Sequence, residues 1–72
     1  MGAPSKAVAA AQVLLAGVQK QAANGDDETA HVYEDALRSC VLALVAAGHE
    51  DSVKLAEIAL ETDKLDFERW YA

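Results

Sequence analysis

The chain has 72 residues, 53% of them hydrophobic, one Cys, one Pro and a formal net charge of −6. That length makes one domain, residues 1–72, and a domain of this size buries only ~60% of its unfolded surface. Lone Cys40 excludes an intrachain disulfide framework and fits a reducing, cytoplasmic setting, so close helix packing or oligomerisation must supply the stability.

The charge is unevenly spread. Residues 1–25 carry Lys6 and Lys20 and no acid, residues 26–51 carry seven acids against Arg38, and residues 52–72 carry five acids against three cations. An acidic chain with no basic stripe argues against direct binding of nucleic acid through its phosphates. A composition rich in Ala, Leu and Val, with few turn residues, favours helix.

The first helix is expected over residues 6–23. Ser5 is its N-cap, because its hydroxyl can accept from a first-turn amide. Val8, Ala11, Leu15, Val18 and Ala22 recur at steps of three and four, which makes a seam along one face. Gly17 interrupts this helix at a cost of ~1 kcal/mol relative to Ala. Lys6 followed by the apolar run from Ala7 to Val18 has a faint likeness to a secretory leader, but no small-x-small cleavage site follows it. No segment reaches the ~18 apolar residues that a membrane span needs.

Asn24-Gly25 ends the first helix, since both residues tolerate the left-handed backbone that closes one. Asp26 or Asp27 then caps a second helix over 27–47, with the remaining acids at the positive end of its dipole. The two form an αα-hairpin. Ala30, Tyr33, Leu37, Cys40, Leu44 and Ala47 give a matching seam, in which Cys40 reads as a small buried hydrophobe. From Cys40 to Ala47 no side chain is more polar than that thiol. A helix that is apolar all round must be covered all round, so Val41, Leu42, Val45 and Ala46, off the seam, need a third helix or another subunit.

Gly48 stops the second helix, and Asp51 or Ser52 caps a third over 52–61. Lys54 lies at helical spacing from Glu57 and Ile58, and seven residues before Glu61, so weak surface ion pairs are expected there. Asp63 restarts a short helix over 64–71, which would set Phe67, Trp70 and Tyr71 at i, i+3 and i+4 on one face. Aromatics in this pattern either lid the small core, pack against a second copy, or dock on a partner as hot-spot anchors. The shortage of core favours packing.

Sites for chemistry are sparse. His31, Glu34 and Asp35 share a helical face, but the other His, His49, lies eighteen residues on, about 27 Å along a helix, so one chain cannot join them around a metal. There is no Gly-rich phosphate loop, GxSxG, HExxH or CxxC. No catalytic, metal or cofactor-binding residue is assigned.

The expectation is therefore an all-α three-helix hairpin or bundle with a short C-terminal helix, assembled as a homo-oligomer. It acts without catalysis as a protein–protein interaction, adaptor or regulatory module. Its partners are a second copy or another protein, not nucleic acid or membrane. The contact residues are Phe67, Trp70, Tyr71, Val41, Leu42 and Val45. The alternatives are an acidic inhibitor that mimics nucleic acid, and a small oligomeric enzyme or metal-binding protein whose site forms between subunits.

Overall fold

Two of the helices begin where a side chain replaces the missing preceding turn. The Ser5 hydroxyl accepts from the Val8 N–H at 3.2 Å and opens α1, Lys6–Ala23. The Asp26 carboxylate accepts from the Thr29 N–H at 3.2 Å and opens α2, Asp27–Ala46. Each bond satisfies an amide that a helix leaves without an internal partner. The third helix, α3 over Ser52–Leu60, starts differently. Asp51 holds the cap position but its side chain makes no capping bond. Its backbone N–H instead donates to His49 Nδ1 at 3.0 Å, so the imidazole shapes this connection.

Both long helices close in the same way. The Asp26 N–H reaches the Gln21 carbonyl at 2.9 Å and the Gly25 N–H the Ala22 carbonyl at 3.1 Å; the His49 and Gly48 amides reach Leu44 and Val45, each at 3.0 Å. This double bond pattern requires a left-handed residue after the helix, and Gly25 and Gly48 both have φ of 78°.

The computed structural model describes residues 4–68, whose regular elements are all helical, with no strand among them. The all-α architecture is thus as expected, in a body of 35 × 26 × 16 Å. The main core lies among the three helices and holds Val8, Ala11, Leu37, Val41, Leu55 and Ile58, with Leu14, Leu15 and Leu44 packed against it. A second cluster, at the α1–α2 turn end, holds Val18, Ala30 and Phe67, backed by Ala22 and Leu65.

The α1 seam falls where the spacing put it: Val8, Ala11 and Val18 are buried, and Leu15 and Ala22 are half-buried. The α2 seam is corrected by one position. Its buried residues are Ala30, Glu34, Leu37 and Val41, in place of a line through Tyr33 and Cys40. Both lines alternate steps of three and four, so periodicity does not separate them; polarity favoured Tyr33 over an acid. Two neighbours decide otherwise. Arg38 Nη2 stands 3.9 Å from the Glu34 carboxylate, which lessens the cost of burying a charge. Gly17 leaves room for the Tyr33 ring beside α1: a Cβ built there would lie 3.3 Å from it. Tyr33 is therefore 37% exposed, and Cys40 is half-buried.

Of the short C-terminal helix expected over 64–71, the part over 65–68 is also corrected, and residues 69–71 lie outside the described residues. A 3₁₀ turn runs over Glu61–Lys64, and Leu65 is extended, with φ −90° and ψ 134°. Residues 65–68 are not helical. The turn is fixed by Thr62, which is fully buried: its hydroxyl donates to the Ala59 carbonyl at 3.0 Å and accepts from Arg38 Nη2 at 3.0 Å. Asp63 pairs with the same guanidinium at 2.6 Å in place of capping a new helix. The extended segment then carries Phe67 back to Val18 and Ala30, and the Glu68 N–H donates to Asp27 Oδ2 at 3.2 Å.

Candidate functional site

Packing α3 across α2 leaves a groove between them that neither α1 nor the 3₁₀ turn fills. Its α2 wall is Arg38, Val41, Leu42 and Val45, at i, i+3, i+4 and i+7; its α3 wall is Ala56, Ala59 and Leu60, at i, i+3 and i+4. Residues at these spacings share one helical face, so the groove follows directly from the two sequences. The volume is about 280 Å³, near the lower end of cavities that enclose small ligands.

Three properties describe what this groove can do. It is apolar: six of its seven lining residues are Val, Leu or Ala. Its walls are raised, with Leu42 67% and Leu60 59% exposed, while Ala56 and Ala59 are half-buried and form a low floor. Small residues between larger ones let another helix approach closely. Third, its single polar residue closes one end. Arg38 contacts Thr62, Asp63 and Glu34, in every case through Nη2, and its buried Nε has no hydrogen-bond partner. Recognition of a small polar ligand needs several convergent polar groups; this groove offers one, already committed to holding α2, α3 and the 3₁₀ turn together. The arrangement is made for burying apolar side chains.

The expected contact residues separate into two groups. Val41, Leu42 and Val45 are brought together on the α2 wall, Val41 with its side chain also in the core. Phe67 is buried against Val18 and Ala30 at the other end of the molecule, so it serves the chain's own core. Trp70 and Tyr71 lie outside the described residues. The α3 wall and Arg38 were not singled out in the sequence. Ala56, Ala59 and Leu60 repeat the i, i+3, i+4 spacing of Arg38, Val41 and Leu42, a pairing of patterns that gives a sequence-level signal once α2 and α3 are taken as neighbours.

The remaining polar positions are locally explained. His31 Nε2 stands 3.1 Å from Asp35 Oδ2, one turn along α2. Lys64 pairs with Glu61 at 2.9 Å, and none of the ion pairs within 4.0 Å among the described residues involves Lys54. Lys54, Glu57, Ile58 and Glu61 border a shallower depression of about 200 Å³. Among the described residues no three His, Cys, Asp or Glu side chains gather where they could hold a metal ion, and no helix is long and apolar enough to cross a membrane.

No family model matches the chain, and neither does any curated protein or solved structure.

Proposed function

We propose that the chain is a non-enzymatic protein–protein interaction module that acts as a homo-oligomer, in an adaptor or regulatory role, with the α2–α3 groove as its contact surface. The observation that carries this reading is the clustering of exposed apolar side chains in one place: Leu42, Val45 and Leu60, 67%, 38% and 59% exposed, rise around the same groove. Singly exposed apolar residues are ordinary, whereas a contiguous set lining a groove marks an interaction surface.

The test is the molar mass of the purified protein by light scattering across a concentration series. Mass rising toward twice 7.6 kDa in the micromolar range supports the proposal. A constant monomer mass up to hundreds of micromolar removes the homo-oligomer.

A further inference from the structure

We infer that Asn24-Gly25, in the turn between α1 and α2, is a site of spontaneous covalent modification: Asn24 loses its side-chain amide through attack by the Gly25 nitrogen, and opening of the turn gates the reaction. The chain has a single Asn, and Gly follows it. Glycine brings no side chain to shield its own amide, and a Cβ built on Gly25 would meet nothing within 4 Å. Both residues are exposed, so water reaches them.

In the reaction the Gly25 nitrogen gives its proton to water or hydroxide and bonds to Asn24 Cγ. The Cγ–Nδ2 bond breaks and ammonia leaves. The product is a five-membered cyclic imide that joins main chain and side chain. Water then opens it at either carbonyl. Breaking the bond from the nitrogen to Cγ leaves an aspartate at position 24. Breaking the bond to the main-chain carbonyl leaves an isoaspartate, with the chain running through Cγ. Water is the only other reactant. Gln12, Gln19 and Gln21 carry one more methylene and would have to close a larger ring, so they react far more slowly.

The closed turn holds the two reacting groups apart. Asn24 has ψ −3°, which eclipses the Gly25 nitrogen with Asn24's own. The Asn24 side chain then stands about 120° away around the Cα–C bond, by the geometry at Cα. The Gly25 N–H is also donated to the Ala22 carbonyl at 3.1 Å, which opposes loss of its proton. Ring closure needs ψ to turn by about 120°. That breaks this bond and the one from the Asp26 N–H to Gln21 at 2.9 Å, a local opening that does not require the whole chain to unfold. Once modified, the turn cannot close as before. The isoaspartyl link adds one main-chain atom between Cα of residue 24 and the Gly25 nitrogen, so the two closing amides lose register with Ala22 and Gln21. Either product sets a carboxylate at the C-terminal pole of α1, where the dipole disfavours it, just before Asp26, Asp27 and Glu28. The Val18, Ala30 and Phe67 cluster lies at this end, so the modification acts on the packing of α1 against α2.

The test ages the purified chain at mildly alkaline pH and one temperature, folded in buffer and unfolded in guanidinium chloride. Peptide mapping by mass spectrometry follows the amide-to-acid mass gain, and methylation by an isoaspartyl methyltransferase reports the isoaspartate. The gain should fall on the peptide that contains Asn24, split between two products, and should be absent from Asn24→Gln. In the folded chain it should be at least about tenfold slower than in the unfolded chain, since both closing hydrogen bonds must break first. The isolated isoaspartyl chain should melt below both the parent and Asn24→Asp, which keeps the main chain intact. An Asn24 that retains its amide in the folded chain over weeks overturns the site. Equal folded and unfolded rates overturn the gating by the turn, and an isoaspartyl chain that melts with the parent overturns the effect on packing.

Discussion

Replacing Thr62 by Val tests the bond network that joins the groove's two walls. The substitution keeps the shape of a fully buried side chain and removes only its hydroxyl. Two hydrogen bonds are lost, one to the Ala59 carbonyl and one from Arg38, each at 3.0 Å. A neutral bond contributes ~0.5–1.5 kcal/mol and one to a charged group ~1.5–3. Arg38 keeps Asp63 at 2.6 Å, so the charged contribution is discounted, and a net loss of about 1.5–3 kcal/mol follows. A chain of this length has roughly 4–11 kcal/mol in all at typical per-residue stability, so the loss is a large share. It corresponds to a fall in Tm of about 10–20 °C. Circular dichroism in urea and on heating, at one fixed protein concentration because assembly shifts apparent stability, measures it. Asp63→Asn is the comparison: it touches the same guanidinium from a side chain 60% exposed, where screening holds the loss below ~1 kcal/mol. Thr62→Val within ~0.5 kcal/mol of the parent, with Asp63→Asn costing more, would refute the claim that the buried hydroxyl holds α2 to the end of α3.

Further outcomes follow from the packing. Leu37→Ala, at a fully buried position, should cost ~2–5 kcal/mol in chemical denaturation. Truncation after Asp63 removes Phe67 from its contacts with Val18 and Ala30 and should cost several kcal/mol, on the scale of ~3–5 for a large aromatic; unchanged stability would show that the second cluster is not part of the core. Gly17→Ala should be neutral to stabilising by up to ~1 kcal/mol, since its new Cβ meets only the Tyr33 ring at 3.3 Å and that ring is exposed enough to shift; a loss above ~1 kcal/mol would show the ring to be fixed. Gly25→Ala, in open space at φ 78°, should cost ~1–2 kcal/mol from backbone strain alone.

The parts of this fold that were legible in the sequence are those set by local rules. Ser5, Asn24-Gly25, Asp26 and Gly48 mark helix ends because capping and left-handed closure act within a few residues, and the helix limits agree to within one residue. What was not legible depended on contacts distant in sequence. The choice between Tyr33 and Glu34 for the buried face turns on Gly17 of α1 and on Arg38, not on periodicity. The end of α3 turns on Arg38 reaching 24 residues to Thr62, which stops the chain from restarting a helix at Asp63 and sends Phe67 inward. The candidate site was half visible. Val41, Leu42 and Val45 stood out because an all-apolar helix must be covered, but the opposite wall, Ala56, Ala59 and Leu60, is ordinary amphipathic sequence until α3 is placed beside α2.

The central claim is that the α2–α3 groove is where this chain meets its partner copy. It is tested most directly by sedimentation equilibrium of the parent, Leu42→Asp and Val13→Asp. Both substitutions put a carboxylate on an exposed apolar position, 67% and 70% open respectively, and both should leave the monomer folded. Burying Leu42 in each of two copies contributes ~1.5–3 kcal/mol per copy, so Leu42→Asp should weaken self-association by at least a hundredfold while Val13→Asp leaves it within about threefold, each 1.4 kcal/mol being tenfold in Kd. Equal dissociation constants for the parent and Leu42→Asp would contradict the account.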